Sequence, residues 1–359
     1  MFHHARQCRF AAVLVTAFVL AACDSVEERV EKHHARAEQL VESGDDSRAV
    51  LEFRNALSLD ENYLPARMGI AELYERQGEL RAAIANYEMV NELDKENVRS
   101  RLNLARIYLS VGAVESAAPL TDEALALVPD DPDALALRAS VLLRQGDRAA
   151  AVEMANAARE IEPYHVAANT VLIADRRARD DVDGALRMTD AVLAEAPDDL
   201  GLNLARLQLL QELNDNDGLG DQLARMVERF PETIRFKEVL AQWQLDNGDQ
   251  ASAETTLREI AAQQPDNADA AINLVRFVVA TQGVAAGRRE FAALIERTED
   301  PEVRARLQIG SAELDYRDGR EDDDEHRDGG EQVRDVALEE EVGGACAEGV
   351  AAEEGAGDV

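Results

Sequence analysis

Residues 98–131, VRSRLNLARIYLSVGAVESAAPLTDEALALVPDD, and residues 132–165, PDALALRASVLLRQGDRAAAVEMANAAREIEPYH, are two passes through one cycle. Laid one above the other, they put Ala105 over Ala139, Gly112 over Gly146, Ala117 over Ala151 and Pro129 over Pro163, every pair 34 residues apart. Outward from this pair the proline row continues through Pro197, Pro231 and Pro265. The glycine row reaches back to Gly78 and Gly44 and forward to Gly248. The alanine rows extend through Ala37, Ala71 and Ala241, and through Ala49, Ala83 and Ala185. Rows of different residues in one fixed phase mean that a supersecondary unit is repeated, whereas biased composition alone would produce no phase.

Each row has a mechanical reading. The alanines let two helices approach closely, the glycine takes the left-handed conformation that ends the first helix, and the proline stops the second. Between them Leu40, Tyr74, Tyr108 and Leu142 in the first helices, and Phe53, Tyr87 and Leu257 in the second, are expected to fill the core between repeats. A helical hairpin cannot bury its apolar face alone, so the units must stack. The aromatic content of 4% and the abundance of alanine and leucine agree with an all-α chain rather than a β-sandwich or barrel.

On these rows the sequence resembles the tetratricopeptide repeat, a 34-residue helix-turn-helix. With Val30 as position 1, eight frames run over 30–301. The resemblance implies an all-α fold, a right-handed α-solenoid of antiparallel helix pairs whose first helices line a concave groove. Frames 1 to 4 follow the pattern closely. Frame 5 departs from it at Ile173, Arg176 and Asp180, and in frame 6 the string Leu202-Asn203-Leu204-Ala205-Arg206 sits two residues early. The polar turn Asn214 to Gly218 is expected to bend or loosen the array, and it lacks the downstream glutamate of a helix-loop-helix calcium site. Pro119, early in a second helix, is a place for a mild kink.

The groove-facing positions of the first helix, about 2, 5, 6, 9, 12 and 13, hold a recurring Asn-Leu-small-Arg element. It places Asn103 with Arg106, Asn203 with Arg206, and Asn273 with Arg276, read as sixth and ninth positions, with Arg99 and Arg144 adding charge. Asparagine can pair with a peptide amide through donor and acceptor, and arginine can grip a carboxylate through two parallel bonds, so the set suits an extended acidic segment. The competing reading makes these residues members of solvated or intra-array ion pairs in a chain rich in Arg and Glu.

The chain has 72 acidic and 38 basic residues among 359, a net charge of −34, which repels phosphate backbones and anionic lipid and excludes nucleic acid as a partner. No catalytic motif, phosphate-cradling loop or paired Cys–His site stands in the repeats, so no enzyme activity, cofactor, metal or small-molecule substrate is expected. His33 and His34 beside Glu31 admit a metal or a solvated turn, the turn being favoured. Cys8, Cys23 and Cys346 form no disulfide framework.

The amino terminus is basic, then apolar from Phe10 to Ala22, too short to span about 30 Å of hydrocarbon. Residues 1–22 read as a signal peptide, which removes Cys8. Leu20-Ala21-Ala22-Cys23 resembles the lipobox of bacterial lipoproteins, which makes Cys23 the acylated residue, carrying chains such as palmitate, with 23–29 as a short linker. At about 0.8 kcal/mol per buried CH₂, several acyl chains hold an acidic body at a membrane without a basic patch. Asp24 matches the residue that retains enteric lipoproteins on the inner membrane, favouring its periplasmic face over the outer membrane.

After 30–301 a partial ninth repeat is expected at 302–319, following three extra residues at Glu302 to Arg304 and stopping at Gly319. It would leave an uncapped apolar face. Residues 320–359 are read as an acidic disordered tail. From Asp318 to Val359 there are 16 acids, and 35 of 42 residues are Gly, Ala, Val, Asp or Glu, whose codons all begin with guanine. A genuine acidic tail and an out-of-frame translation of GC-rich sequence both stay open. The combined features resemble envelope- and exopolysaccharide-associated tetratricopeptide lipoproteins. They imply a membrane-tethered scaffold for other envelope proteins or their peptide segments, or alternatively a constitutive subunit of an envelope assembly or polysaccharide export complex.

Overall fold

The turn inside each hairpin shows most directly how the sequence builds the structure, a computed structural model that describes residues 25–325, with side-chain surroundings to Gly319. The expected signal peptide 1–22, the expected lipid-bearing Cys23, Cys8, Cys346 and residues 326–359 lie outside the described residues. Gly44, Gly78, Gly112, Gly146 and Gly248 all have φ between +74° and +85°. Where the glycine is missing, Asp180 (φ +61°) and Asn214 (φ +54°) take the same conformation, and the eighth hairpin uses Gly283 (φ +85°) one residue later. The turn expected to loosen the array is therefore like the others. Asp215 N donates to Leu210 O at 2.9 Å and Asn214 N to Gln211 O at 3.1 Å, as Asp45 N does to Leu40 O and Gly44 N to Val41 O at 2.9 and 3.1 Å. The Asp215 carboxylate is occupied as a helix cap, accepting from Gly218 N at 2.9 Å.

These eight turns join α1 (Val26–Glu42) to α2 (Asp46–Leu59), α3 (Leu64–Arg76) to α4 (Leu80–Leu93), α5 (Val98–Ser110) to α6 (Val114–Leu127), and α7 (Pro132–Arg144) to α8 (Arg148–Ile161). They then join α9 (Val166–Arg177) to α10 (Val182–Glu195), α11 (Leu200–Glu212) to α12 (Asn216–Arg229), α13 (Ile234–Asp246) to α14 (Gln250–Gln263), and α15 (Ala268–Gln282) to α16 (Val284–Arg297). A last helix, α17 (Pro301–Glu325), follows. The described residues contain no strand, and none of their helices is long and apolar enough to cross a membrane. This is an all-α helical repeat fold. It divides into two compact units at Asp180/Asp181, here the N-terminal and C-terminal units.

Both alanine rows are fully buried: Ala37, Ala71, Ala105 and Ala139 at position 8, and Ala49, Ala83, Ala117, Ala151 and Ala185 at position 20, are each 0% exposed. Ile173 takes the position-8 place in frame 5 and is also buried. Pro119 sits inside α6, which runs on unbroken to Leu127. The acids contribute to the architecture as caps: Asp45, Asp147, Asp181 and Asp249 each accept the backbone N–H three residues on.

A further row escaped the sequence reading. In α3, α5, α9 and α11 the fourth residue reaches back to a carbonyl six residues earlier, in the turn from the preceding repeat, whereas Lys237 at the same place in α13 pairs with Glu259. Arg67 Nε donates to Glu61 O at 2.8 Å, Asn169 Nδ2 to Pro163 O at 3.1 Å, Asn203 Nδ2 to Pro197 O at 2.9 Å, and Arg101 Nη2 to Lys95 O. The row gives carbonyls of the inter-repeat turns a side-chain donor and ties each turn to the helix that follows it.

The same brace fixes the register of α17, since Arg304 Nε donates to Thr298 O at 3.1 Å. Glu302 to Arg304 are thus its first turn and not an insertion, and the helix passes through Gly319 instead of stopping there. Val303 and Leu307 are buried, and a Cβ on Gly310 would sit 3.0 Å from Phe291 Cζ, so α17 lies closely on α16. Gln308 and Ser311 fall at positions 8 and 11, where earlier repeats carry the alanine and the large residue that receive the second helix. Beside these polar positions α17, the last helix among the described residues, exposes Ile309 and Tyr316.

Left-handed backbone costs a residue with a Cβ about 1–2 kcal/mol. Gly78→Ala, whose Cβ would meet no atom within 4 Å, is expected to lose that amount through the backbone alone. Asp180→Gly is expected to gain up to about 1 kcal/mol by relieving the same strain, less the entropy that glycine adds to the unfolded chain. Urea unfolding followed by helical circular dichroism measures both, and matching losses for the two variants would contradict this account of the turn.

Candidate protein-binding surface

In the N-terminal unit the exposed side of the first helices is polar, and its centre is built from a buried tyrosine outward. Tyr87, on α4, is 0% exposed and packs against Ala71, Ala83, Leu104 and Ile107. Its hydroxyl emerges at the far edge of that core, where it donates to Glu75 Oε2 on α3 at 2.9 Å and accepts from Asn103 Nδ2 on α5 at 3.1 Å. Asn103 Oδ1 in turn accepts from Arg106 Nη1 at 3.0 Å. The relay Glu75–Tyr87–Asn103–Arg106 spans three helices and holds one exposed guanidinium against a fixed core. Burial, then the bond to Glu75, pushes the Tyr87 phenol well above its ordinary pKa, so it stays a donor across the physiological range.

Beside the relay, Arg99 Nη2 lies 2.7 Å from Glu72 Oε1, yet that oxygen receives no directed hydrogen bond, so charge rather than geometry joins the pair. Burial raises the Glu72 carboxyl and Arg99 lowers it, burial being the larger effect. Arg76 is tied to Asp46 at 2.9 Å. Arg106 is exposed on α5 and Arg144 on the last turn of α7. Tyr108, one repeat on from Tyr74, donates to Glu88 Oε1 at 2.8 Å, and its pKa is pushed up to about 12 by burial and that bond.

Arg99, Asn103, Arg106 and Arg144 all belong to this unit, the first three on one helix. Asn203, Arg206, Asn273 and Arg276 belong to the C-terminal unit. Of these, Asn273 and Arg276 are exposed on α15 at positions 6 and 9, as expected. Asn203 and Arg206 are not surface residues of this kind. Because α11 begins at Leu200, in strict phase with the prolines, they occupy positions 4 and 7. Asn203 is 5% exposed, bonded to Pro197 O and Asp199 O, and accepts from Gln222 Nε2 at 2.8 Å. Arg206 pairs with Asp190 at 2.7 Å and donates to Gln222 Oε1 at 3.1 Å. Two periods earlier Arg138 pairs with Asp122 at 2.9 Å in the same way, an intra-array bridge from one repeat's second helix to the next repeat's first.

Among the described residues, His33 and His34 make side-chain contacts within the first repeats. His33 Nδ1 lies 2.6 Å from Glu52 Oε2, which lowers the Glu52 carboxyl, and His34 sits against the rings of Phe53 and Tyr63 at 5.7 and 5.5 Å. Among the described residues no group of three or more His, Cys, Asp or Glu side chains is placed to hold a metal.

Residues 76–141 match the tetratricopeptide repeat family model, a stretch that holds Tyr87, Asn103 and Arg106 of the relay and begins one residue after Glu75. No curated protein matches the chain. Among solved structures, the chain is similar to one from the APC/C hetero-tetramer Cut9–Hcn1. The likeness is at 18% identity with a TM-score of 0.52, over 64% of this chain and 45% of that one. It is also similar to a tetratricopeptide repeat protein from Parabacteroides merdae (16% identity, 79% and 99% covered, TM-score 0.44). Yeast Tom70 is a third such structure (14% identity, 76% and 59% covered, TM-score 0.49). At these identities the likeness shows the helical repeat fold alone.

Proposed function

We propose that this repeat protein is a protein-interaction scaffold of a bacterial envelope, tethered through lipid on Cys23 and facing the periplasm, with the inner membrane favoured. Its N-terminal unit takes an extended, acidic segment of an envelope partner along the first-helix face. The observation that carries the reading is the relay to Arg106. A solvated surface arginine gives up side-chain freedom when it binds. Here one hydrogen bond, to an Asn103 that is itself held by the buried Tyr87, restricts it, and the exposed guanidinium keeps further donors for a carboxylate. Arg144 supplies a second exposed cation, while Arg99 and Arg76 are neutralised in place. Tethering rests on the lipobox and signal, and the charge of −34 makes acyl chains the attractive element at the membrane.

The test is affinity capture of the tagged chain from an envelope extract. Arg106→Glu is expected to reduce the captured partner at least tenfold, about 1.4 kcal/mol, with helical circular dichroism unchanged, and Cys23→Ser to release the chain into the soluble fraction. Full capture by Arg106→Glu would rule out this face, and Cys23→Ser protein still sedimenting with membranes would rule out the anchor.

A further inference from the structure

Helix α17 carries two apolar faces. Successive residues of a helix stand about 100° apart, so Val303, Leu307, Gly310 and Leu314 share one side, which packs onto α15 and α16. Ala305, Ile309, Ala312 and Tyr316 fall within about 60° of one another, and about 160° round from that buried side. All four are exposed, Ile309 by 58% and Tyr316 by 66%. Their spacing of four, three and four residues is that of a seam between paired helices. Along one edge of the seam run Glu302, Arg306, Glu313 and Arg317, all exposed as well. Both rows change character about one place, near Gly310. Along the seam, size reads small, large, small, large, and along the edge, charge reads negative, positive, negative, positive. Turned end for end, each row becomes its own complement.

We infer that this face pairs with the same face of a second copy of the chain, the two α17 helices lying antiparallel about a two-fold axis. That arrangement sets Ala305 opposite Tyr316 and Ile309 opposite Ala312 along the seam, and Glu302 opposite Arg317 and Arg306 opposite Glu313 along the edge, each pair made twice. A parallel pair would instead crowd two tyrosines into one layer and leave two alanines facing a gap in the next. Helix α15 extends the match. Asp269 bonds Arg306 at 2.6 Å, and seven residues further along both helices this register brings the exposed Arg276 level with Glu313. Across the pair the charges then alternate: Asp269 and Arg306 of one copy, Glu313 and Arg276 of the other. On the opposite edge Asp315 is held by Arg288 at 2.6 Å and meets only the amide of Gln308. Because α15 and α16 stand behind the seam, the approach to it is open. One helix face of about 18 residues, some 27 Å long, makes a contact at the small end of specific interfaces, so the dimer is reversible. The like net charge of two copies, −34 each, opposes it, an effect that physiological salt screens beyond about 8 Å. None of this rests on the Arg106 face or on the scaffold reading.

The test is sedimentation equilibrium of the full chain, carrying Cys23→Ser so that it takes no lipid, at physiological salt. Its mass is expected to rise from one chain to two through the micromolar range. Ile309→Asp, at an exposed position, should weaken the dimer at least tenfold while helical circular dichroism stays unchanged. Arg306→Glu and Glu313→Arg, each alone, set like charges against each other twice and should weaken it as much. An equimolar mixture of those two variants should dimerise again, because both contacts in the mixed pair are once more Glu on Arg. A chain that stays monomeric at every concentration would leave the face to another occupant, such as residues 326–359 of the same chain, and would overturn the inference. A mixture that fails to recover, or a dimer indifferent to Ile309→Asp, would overturn it too. Arg106→Glu is expected to leave the mass curve unchanged, whatever it does to capture of an envelope partner, and loss of the dimer in that variant would place the pairing elsewhere.

Discussion

Replacing Tyr87 by alanine is expected to lower the stability of the chain by about 3–5 kcal/mol, the range for removing a buried aromatic ring. The ring is fully enclosed by Ala71 and Ala83 of its own repeat and by Leu104 and Ile107 of the next. Two of those four walls are alanines, which have no rotamer with which to move inward, so the cavity stays open and the cost sits at the upper end. Repeat stability is roughly a sum of unit and nearest-neighbour terms, so the loss falls on the interface between the second and third repeats. Tyr87→Phe separates ring from hydroxyl. It keeps the packing, loses about 1–2 kcal/mol, and leaves Glu75 and Asn103 without their shared partner. The pH dependence has a definite sign. The folded phenol holds its proton more tightly than the unfolded one, so as pH climbs through about 10 the unfolded chain ionises first and stability falls. Below that pH the contribution is constant. Tyr87→Phe should therefore show a shallower alkaline decline. Urea unfolding at neutral and alkaline pH reads both effects, and a Tyr87→Ala loss under about 1 kcal/mol would contradict the enclosure described.

The contrast between Tyr87 and Arg206 shows how far the sequence was legible. Rows at positions 8, 15, 20 and 32 can be read because they answer backbone demands: close approach, positive φ, a missing N–H. Only small residues, glycine and proline meet those demands well, so identity marks position. Side-chain partners leave no such mark. The string Leu-Asn-Leu-Ala-Arg occurs at Leu102 and again at Leu202, and similarity of the string suggested similarity of place. Phase is carried by Pro197 and by helix α11 starting at Leu200, and a shift of two residues turns a helix face by more than half a circle. Tyr87 was correctly expected in the core, but its hydroxyl serves the surface. A tyrosine where other frames have Phe, Leu, Thr or Ala, with Glu75 twelve residues before and Asn103 sixteen after, was the available signal. In α17 the frame is anchored by the Arg304 brace, and without recognising that brace the sequence reading counts Glu302 to Arg304 as three extra residues.

Gly220→Ala is expected to destabilise the C-terminal unit by about 1–3 kcal/mol, although alanine is the better helix former. Gly220 lies within α12, where intrinsic propensity alone would favour alanine by about 1 kcal/mol. Against that, an added Cβ would stand 2.2 Å from Cη2 and 2.3 Å from Cζ2 of Trp243, on α13 of the following repeat. Such separations require movement, and this ring has little freedom, since it is planar and its Nε1 donates to Asn216 Oδ1 at 3.1 Å. The ring must swing, breaking that bond, or the two repeats must part. Trp243 is the only tryptophan, so its emission reports the event without interference. A red shift and loss of stability are expected together. Gly201→Ala supplies the control, because its Cβ would meet only Asp199 Oδ1, at 3.3 Å, and the first turn of α11 should gain a few tenths of a kcal/mol from alanine. If Gly220→Ala kept native emission and stability, the missing Cβ would have no part in seating the tryptophan. If the two variants shift in opposite directions, the sign is set by what the Cβ meets in the next repeat and not by helix propensity.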